Sequence, residues 1–133
     1  MFQARLFVEH KDLPVITSWF KSRNFPAPLP GTLPEVGLVI TNDGKDISSG
    51  FLFSTDSHVG MIAHLVSDPE SDKDLRKESV KYLINSLSDM ARELGNTVVT
   101  CATNIDSLGK RFEEYGFEKT DTNVSHYRRV LCQ

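Results

Sequence analysis

Apolar positions along this chain follow two different periods, and the changes of period divide it into elements. Phe2 to Val8 is a short apolar run bounded by charge and predicts a strand. Asp12 looks like a helix cap, with Pro14 in the first turn, where a missing N–H costs nothing. Val15, Ile16, Trp19 and Phe20 follow at helical spacing, which assigns Trp19 to core packing. Residues 24–34 read Asn-Phe-Pro-Ala-Pro-Leu-Pro-Gly-Thr-Leu-Pro and hold four of the six prolines. Fixed φ and missing donors make this a semi-rigid loop. It is either a binding lip or a stiff connection.

Val36 to Thr41 is apolar and β-branched, and Asn42-Asp43-Gly44 is a hairpin turn signal. Ile47 to Ser54 returns as the next strand, with Phe51 and Phe53 on one face and Leu52 on the other. His58 to Val66 makes a third strand of the meander. Alternation places Val59, Met61, Ala63 and Leu65 on one face and His58, Gly60, Ile62, His64 and Val66 on the other. After Asp68-Pro69 the period becomes helical. Val80, Leu83, Ile84, Leu87, Met90, Ala91 and Leu94 form an apolar stripe over Lys73 to Leu94. Ser71 or Asp72 would cap this long helix and Gly95 would stop it. Thr97 to Thr103 predicts a strand, Ile105 to Tyr115 a short helix, and Phe117 to Thr120 with His126 to Leu131 a terminal hairpin.

The expected architecture is α/β. An antiparallel meander feeds a strand–long helix–strand crossover, which gives a mixed sheet with helices on its faces in one domain over 1–133. The chain has 133 residues with 39% apolar and 25% charged. A chain of this size buries enough surface to do without disulfide staples. Fifteen basic against 18 acidic residues leave a net charge of −3, which argues against a nucleic-acid partner. Cys101 and Cys132 lack metal-site spacing. Neither a signal-peptide pattern nor a membrane-length apolar run is visible, so a reducing, cytoplasmic setting is expected.

The most specific segment runs Asn104-Ile-Asp-Ser107-Leu-Gly-Lys-Arg-Phe112-Glu-Glu-Tyr115-Gly116-Phe117. Here the chain resembles the Gcn5-related N-acetyltransferase (GNAT) superfamily. That family shows an asparagine after its fifth strand, a small residue three later, and a helix ending in Gly-Phe. The motif covers residues 104–117, and the element order fits about residues 2–131. The resemblance implies an acetyl-coenzyme A co-substrate and an amine acceptor of unspecified identity. Its pantetheine arm would lie between splayed fourth and fifth strands, paired with backbone groups of Leu65, Val66 and Ser67. Its pyrophosphate would lie at the start of the long helix near Leu75, Arg76 and Lys77, where unpaired N–H groups and the dipole favour an anion. Asn104 and Ser107 carry over as cofactor-side residues.

The sequence departs from the family in two places. Neither register of the helix start keeps the family's glycines: Asp72, Leu75 and Lys77, or Asp74 and Arg76, stand at motif positions instead. Phosphate binding would then fall to the side chains of Lys73, Arg76 and Lys77, or coenzyme A binding would be lost and the fold kept as a binding or assembly module. The position of the family's tyrosine acid is Phe112, which has no proton to give. Tyr115 is the nearest substitute, although the helical period packs it with Ile105, Leu108 and Phe112. No carboxylate lies on the fourth strand. His64 is the candidate base, or else a histidine packed on the sheet. No metal is expected, and a homodimer would suit the architecture. Phe25 and Leu29 would give the loop 24–34 an apolar acceptor lip.

Overall fold

The structure, a computed structural model, describes residues 1–103 and 105–131, with Asp106 described by its backbone alone. Its elements are β1 (Phe2–Leu6), α1 (Glu9–Ser22), β2 (Val36–Asn42), β3 (Lys45–Ser54), β4 (Val59–Ser67), α2 (Lys73–Glu93), β5 (Val98–Cys101) and α3 (Asp106–Glu114). The strands form one mixed sheet in the order β1-β2-β3-β4-β5. Pairing is antiparallel as far as β4 and parallel between β4 and β5, which α2 joins. Residues 1–102 form one compact unit and the chain from Thr103 a second; each is described by itself.

Local chemistry sets the turns. Asp43 and Gly44 both take positive φ (52° and 83°) between paired Asn42 and Lys45. That is the backbone twist a two-residue hairpin requires, and Asp-Gly supplies it cheaply. The helix α1 begins a turn earlier than the sequence suggested. Val8 is its N-cap, and Asp12 lies inside, accepting a hydrogen bond from the Val8 amide at 2.8 Å. Asp12 is therefore a buried tether of the helix start, not its cap. Pro14 correspondingly falls past the first turn and leaves the His10 carbonyl without its usual helical donor.

Two layers of apolar side chains cover the sheet. On one face Ile16, Trp19 and Phe20 of α1 meet Phe51 and Val66, with Ala27 and Leu33 of the proline-rich loop packed against them. That loop is thus a stiff strap over the α1 core, with Phe25 at its exposed rim. On the other face Leu83, Ile84 and Leu87 of α2 are fully buried. A Cβ on Gly50 would lie 2.7 Å from Leu65 and 3.2 Å from Leu83, which marks this face as the α2 side.

Alternation along β4 breaks at His64. Ser49 pairs Val66 and Phe51 pairs Ala63, so His64 and Leu65 together oppose Gly50. This two-against-one bulge is built by His64 at φ 57°. It corrects the expected faces. Leu65 turns to the α2 side with Ile62, and Val66 joins the α1 core with Phe51. Sequence periodicity cannot see one inserted residue, and such an insertion exchanges every later side chain between faces.

In the second unit α3 starts at Asp106, with Ile105 as an exposed N-cap residue and not part of the helix. Phe112 is buried and stacks obliquely on Phe117, ring centroids 5.2 Å apart. The expected terminal hairpin does not form among the described residues: 117–131 contains no strand, and Tyr127 and Leu131 are 94% and 85% exposed. Among its described residues this unit has no other strand to support such a hairpin, and an isolated two-stranded ribbon is marginal in water.

Candidate functional site

Beyond its last β5 partner, β4 has an edge that no neighbouring strand takes up. Parallel pairing with β5 runs from Val59–Val98 to Ile62–Cys101 and stops there. Residues 63–67 of β4 continue past the last partner. The Asp68 amide donates to the Ile47 carbonyl of β3 at 2.7 Å. Successive backbone groups of a strand point to opposite sides, so the Ser67 N–H and C=O face away from β3, toward the open edge.

His64 lies on the bulge at the start of this edge. Its ring meets the edges of Phe51 and Phe53, centroids 5.9 and 5.7 Å away, and its side chain forms no hydrogen bond with another described residue. Burial lowers its pKa below the ordinary histidine value. The imidazole is therefore neutral at pH 7, with a lone pair free to accept a proton. Cys101, where β5 ends, is pushed up to about 12 by burial, so it is a thiol and no nucleophile at neutral pH.

The segment that follows β4 is held by its own side chains. Asp68 is buried. Its carboxylate accepts from the Glu70 amide at 3.0 Å and from the Ser71 hydroxyl at 3.1 Å. Asp72 caps α2, accepting from the amides of Asp74 and Leu75 at 3.1 and 3.3 Å. The Arg76 guanidinium folds back to donate to the carbonyls of Pro69 and Ser71. Two amides of the helix start are thus taken by a carboxylate, and the arginine is turned into the loop. Lys73 and Lys77 are exposed, and Leu75 is half-buried.

Sequence reasoning overlooked Arg23, one residue past α1. Its Nη2 donates to the Ser67 carbonyl at 3.2 Å and to the Ser67 hydroxyl at 3.1 Å. No sequence pattern marked it. Gly50, on β3 opposite the bulge, is a trace of it, since a Cβ there would meet Leu65 at 2.7 Å.

Leu65, Val66, Ser67, Leu75, Arg76 and His64 thus gather at the β4 end and the α2 start. Tyr115 and Ser107 lie in the second unit. Tyr115 is the half-buried C-cap of α3, and Ser107 is exposed in its first turn. Asn104 lies outside the described residues. Among the described residues no cluster of His, Cys, Asp or Glu could hold a metal ion, and no helix is long and apolar enough to cross a membrane.

No family model matches the chain, and no curated protein does. Solved structures do match. An acetyltransferase from Trypanosoma brucei has TM-score 0.63 and 21% identity over 100% of this chain and 99% of its own. A ribosomal-protein-alanine N-acetyltransferase from Brucella melitensis has TM-score 0.70 and 17% identity, covering 98% and 100%. N-acetylglutamate synthase from Neisseria gonorrhoeae, in a complex with coenzyme A and N-acetyl-glutamate, has TM-score 0.66 and 20% identity over 91% of this chain and 29% of its own. The chain has the GNAT acetyltransferase fold, with five strands and three helices among its described residues.

Proposed function

We propose that this protein transfers an acetyl group from acetyl-coenzyme A to an amine. The observation that carries the reading is β4 running on past its last β5 partner, which leaves 63–67 with no strand on that edge. A pantetheine arm has two amides and can pair there as an added strand, along Leu65, Val66 and Ser67. The enzyme's part is to hold the thioester beside the amine and to take a proton. The amine nitrogen attacks the thioester carbonyl, the C–N bond forms and the C–S bond breaks. The thiolate leaves with the electron pair, and the amine proton passes to a base. His64, neutral and on the same strand, is our candidate for that base. Tyr115 is a further candidate for proton transfer, and Asn104 and Ser107 for the cofactor side.

The phosphate end fits less well. Asp72 and the inward-turned Arg76 occupy what a pyrophosphate would use. Arg76 and Lys77 would have to supply side-chain contacts in place of those amides. That same observation favours a second reading, a GNAT-fold binding or assembly protein without turnover. We treat 1–133 as one acetyltransferase-like domain acting in the cytoplasm on an amine of unspecified identity, without metal, nucleic acid or membrane, and with a homodimer compatible. The acceptor would enter beside the loop 24–34.

The test is release of free coenzyme A thiol from acetyl-coenzyme A, with and without a panel of amines. Amine-dependent thiol release is expected. Saturable cofactor binding with no release over a wide panel would favour the second reading.

A further inference from the structure

Arg23 is in a costly position. Its Nη2 holds both oxygens of Ser67, yet its Nε is buried with no partner among the described residues. An unpaired buried donor is expensive to keep. Burial and the like charge of Arg76 both disfavour the protonated guanidinium, and Asp68 opposes them only in part. A group held this way gains by moving if another acceptor is offered.

The group that it holds is the acceptor on the open edge. Asp68 N–H points to β3, so the Ser67 carbonyl is an edge group. Arg23 covers it from the end of α1. We infer that Arg23 is a strap on the β4 edge: it occupies the Ser67 carbonyl in the free protein and leaves it when a ligand amide pairs there. Its guanidinium, freed next to Arg76, then faces the phosphate end of the same ligand. This rests on the proposed acetyl-coenzyme A reading and adds a regulated entry to it. The cationic end of the site would be assembled by the ligand, not preformed, which accounts for a helix start that lacks glycines.

The prediction separates the two halves of the ligand. S-acetylpantetheine carries the amides and no phosphate, so it competes with Arg23 and gains nothing from it. Removing the strap should tighten its binding, whereas a merely structural arginine would weaken all binding when removed. The experiment is calorimetric titration of S-acetylpantetheine and of acetyl-coenzyme A into wild type, Arg23→Ala and Ser67→Ala. Arg23→Ala should bind S-acetylpantetheine about three- to tenfold more tightly than wild type, the worth of one hydrogen bond. It should gain less for acetyl-coenzyme A. Ser67→Ala removes one of the two oxygens and should shift S-acetylpantetheine the same way by less, which decides the matter even if Arg23→Ala does not fold. Unchanged or weaker S-acetylpantetheine binding in the variants, with acetyl-coenzyme A still bound, overturns the strap alone. Failure of both ligands to bind any of the three proteins overturns the strap and the acetyltransferase reading together.

Discussion

The Asp12 carboxylate grips the Arg5 guanidinium at two points, Oδ2 to Nη1 and Oδ1 to Nη2, each 2.8 Å. Arg5 also reaches Asp46 at 3.1 Å, so one arginine ties β1, α1 and β3 together. Asp12 is 2% exposed.

Burial raises the Asp12 pKa, but the hydrogen bonds from Arg5 and the Val8 amide and the Arg5 charge outweigh it, and the net shift is downward. A lowered carboxylate pKa stabilises the fold above the unfolded value, about 3.9. The contribution disappears as pH falls through the lower folded value. Asp12→Asn should cost about 1.5–3 kcal/mol at pH 7, the worth of a hydrogen bond to a charged group, since the part-exposed Arg5 keeps Asp46. Urea unfolding should show that loss, and the gap to wild type should close as pH falls below 4.

The bulge makes a second prediction. His64 sits at φ 57°, a region that asparagine tolerates better than most residues. His64→Asn should keep the bulge and the melting temperature while lowering kcat about 100-fold, the ordinary worth of a general base. Because burial lowers the His64 pKa, wild-type activity should hold as pH falls through 6.5 and decline only below it. A flat profile in the variant would assign the acid limb to His64.

Gly50 opposes that bulge, and a Cβ there would meet Leu65 at 2.7 Å. Gly50→Ala should destabilise by about 1–3 kcal/mol, the usual cost of overpacking. Thermal unfolding checks this, and a neutral outcome would mean that the Leu65 side chain moves aside freely.

On the proposed reading, Asp72 places its charge where the coenzyme A pyrophosphate would sit. Asp72→Gly removes the carboxylate and frees the amides of Asp74 and Leu75. The cap loss should cost a few tenths of a kcal/mol. Acetyl-coenzyme A should bind about two- to fivefold more tightly, as expected when a like charge leaves a helix N-terminus. Paired melting and titration data would read both effects.

Much of the fold is visible in the residues themselves. Asn42-Asp43-Gly44 encodes its turn directly, and the stripe from Leu83 to Ala91 encodes the buried face of α2. Asp12 misleads because a carboxylate can serve a helix start from inside as well as from the cap, and only the tertiary position of Arg5 distinguishes the two. His64 misleads because period-two alternation assumes one residue per position, and the bulge adds one. The tail around Tyr127 looks like a strand by local preference, but strands need partners that composition cannot supply. The proposed site residues at β4 and the α2 start can be named from the sequence. Arg23 cannot, since its role depends on a contact 44 positions away along the chain.

The most direct measurement is calorimetric titration of acetyl-coenzyme A into the pure wild-type protein. Open backbone at 63–67 predicts saturable binding at or below about 100 μM, within the ordinary range for enzyme substrates. No heat of binding at millimolar ligand would contradict it.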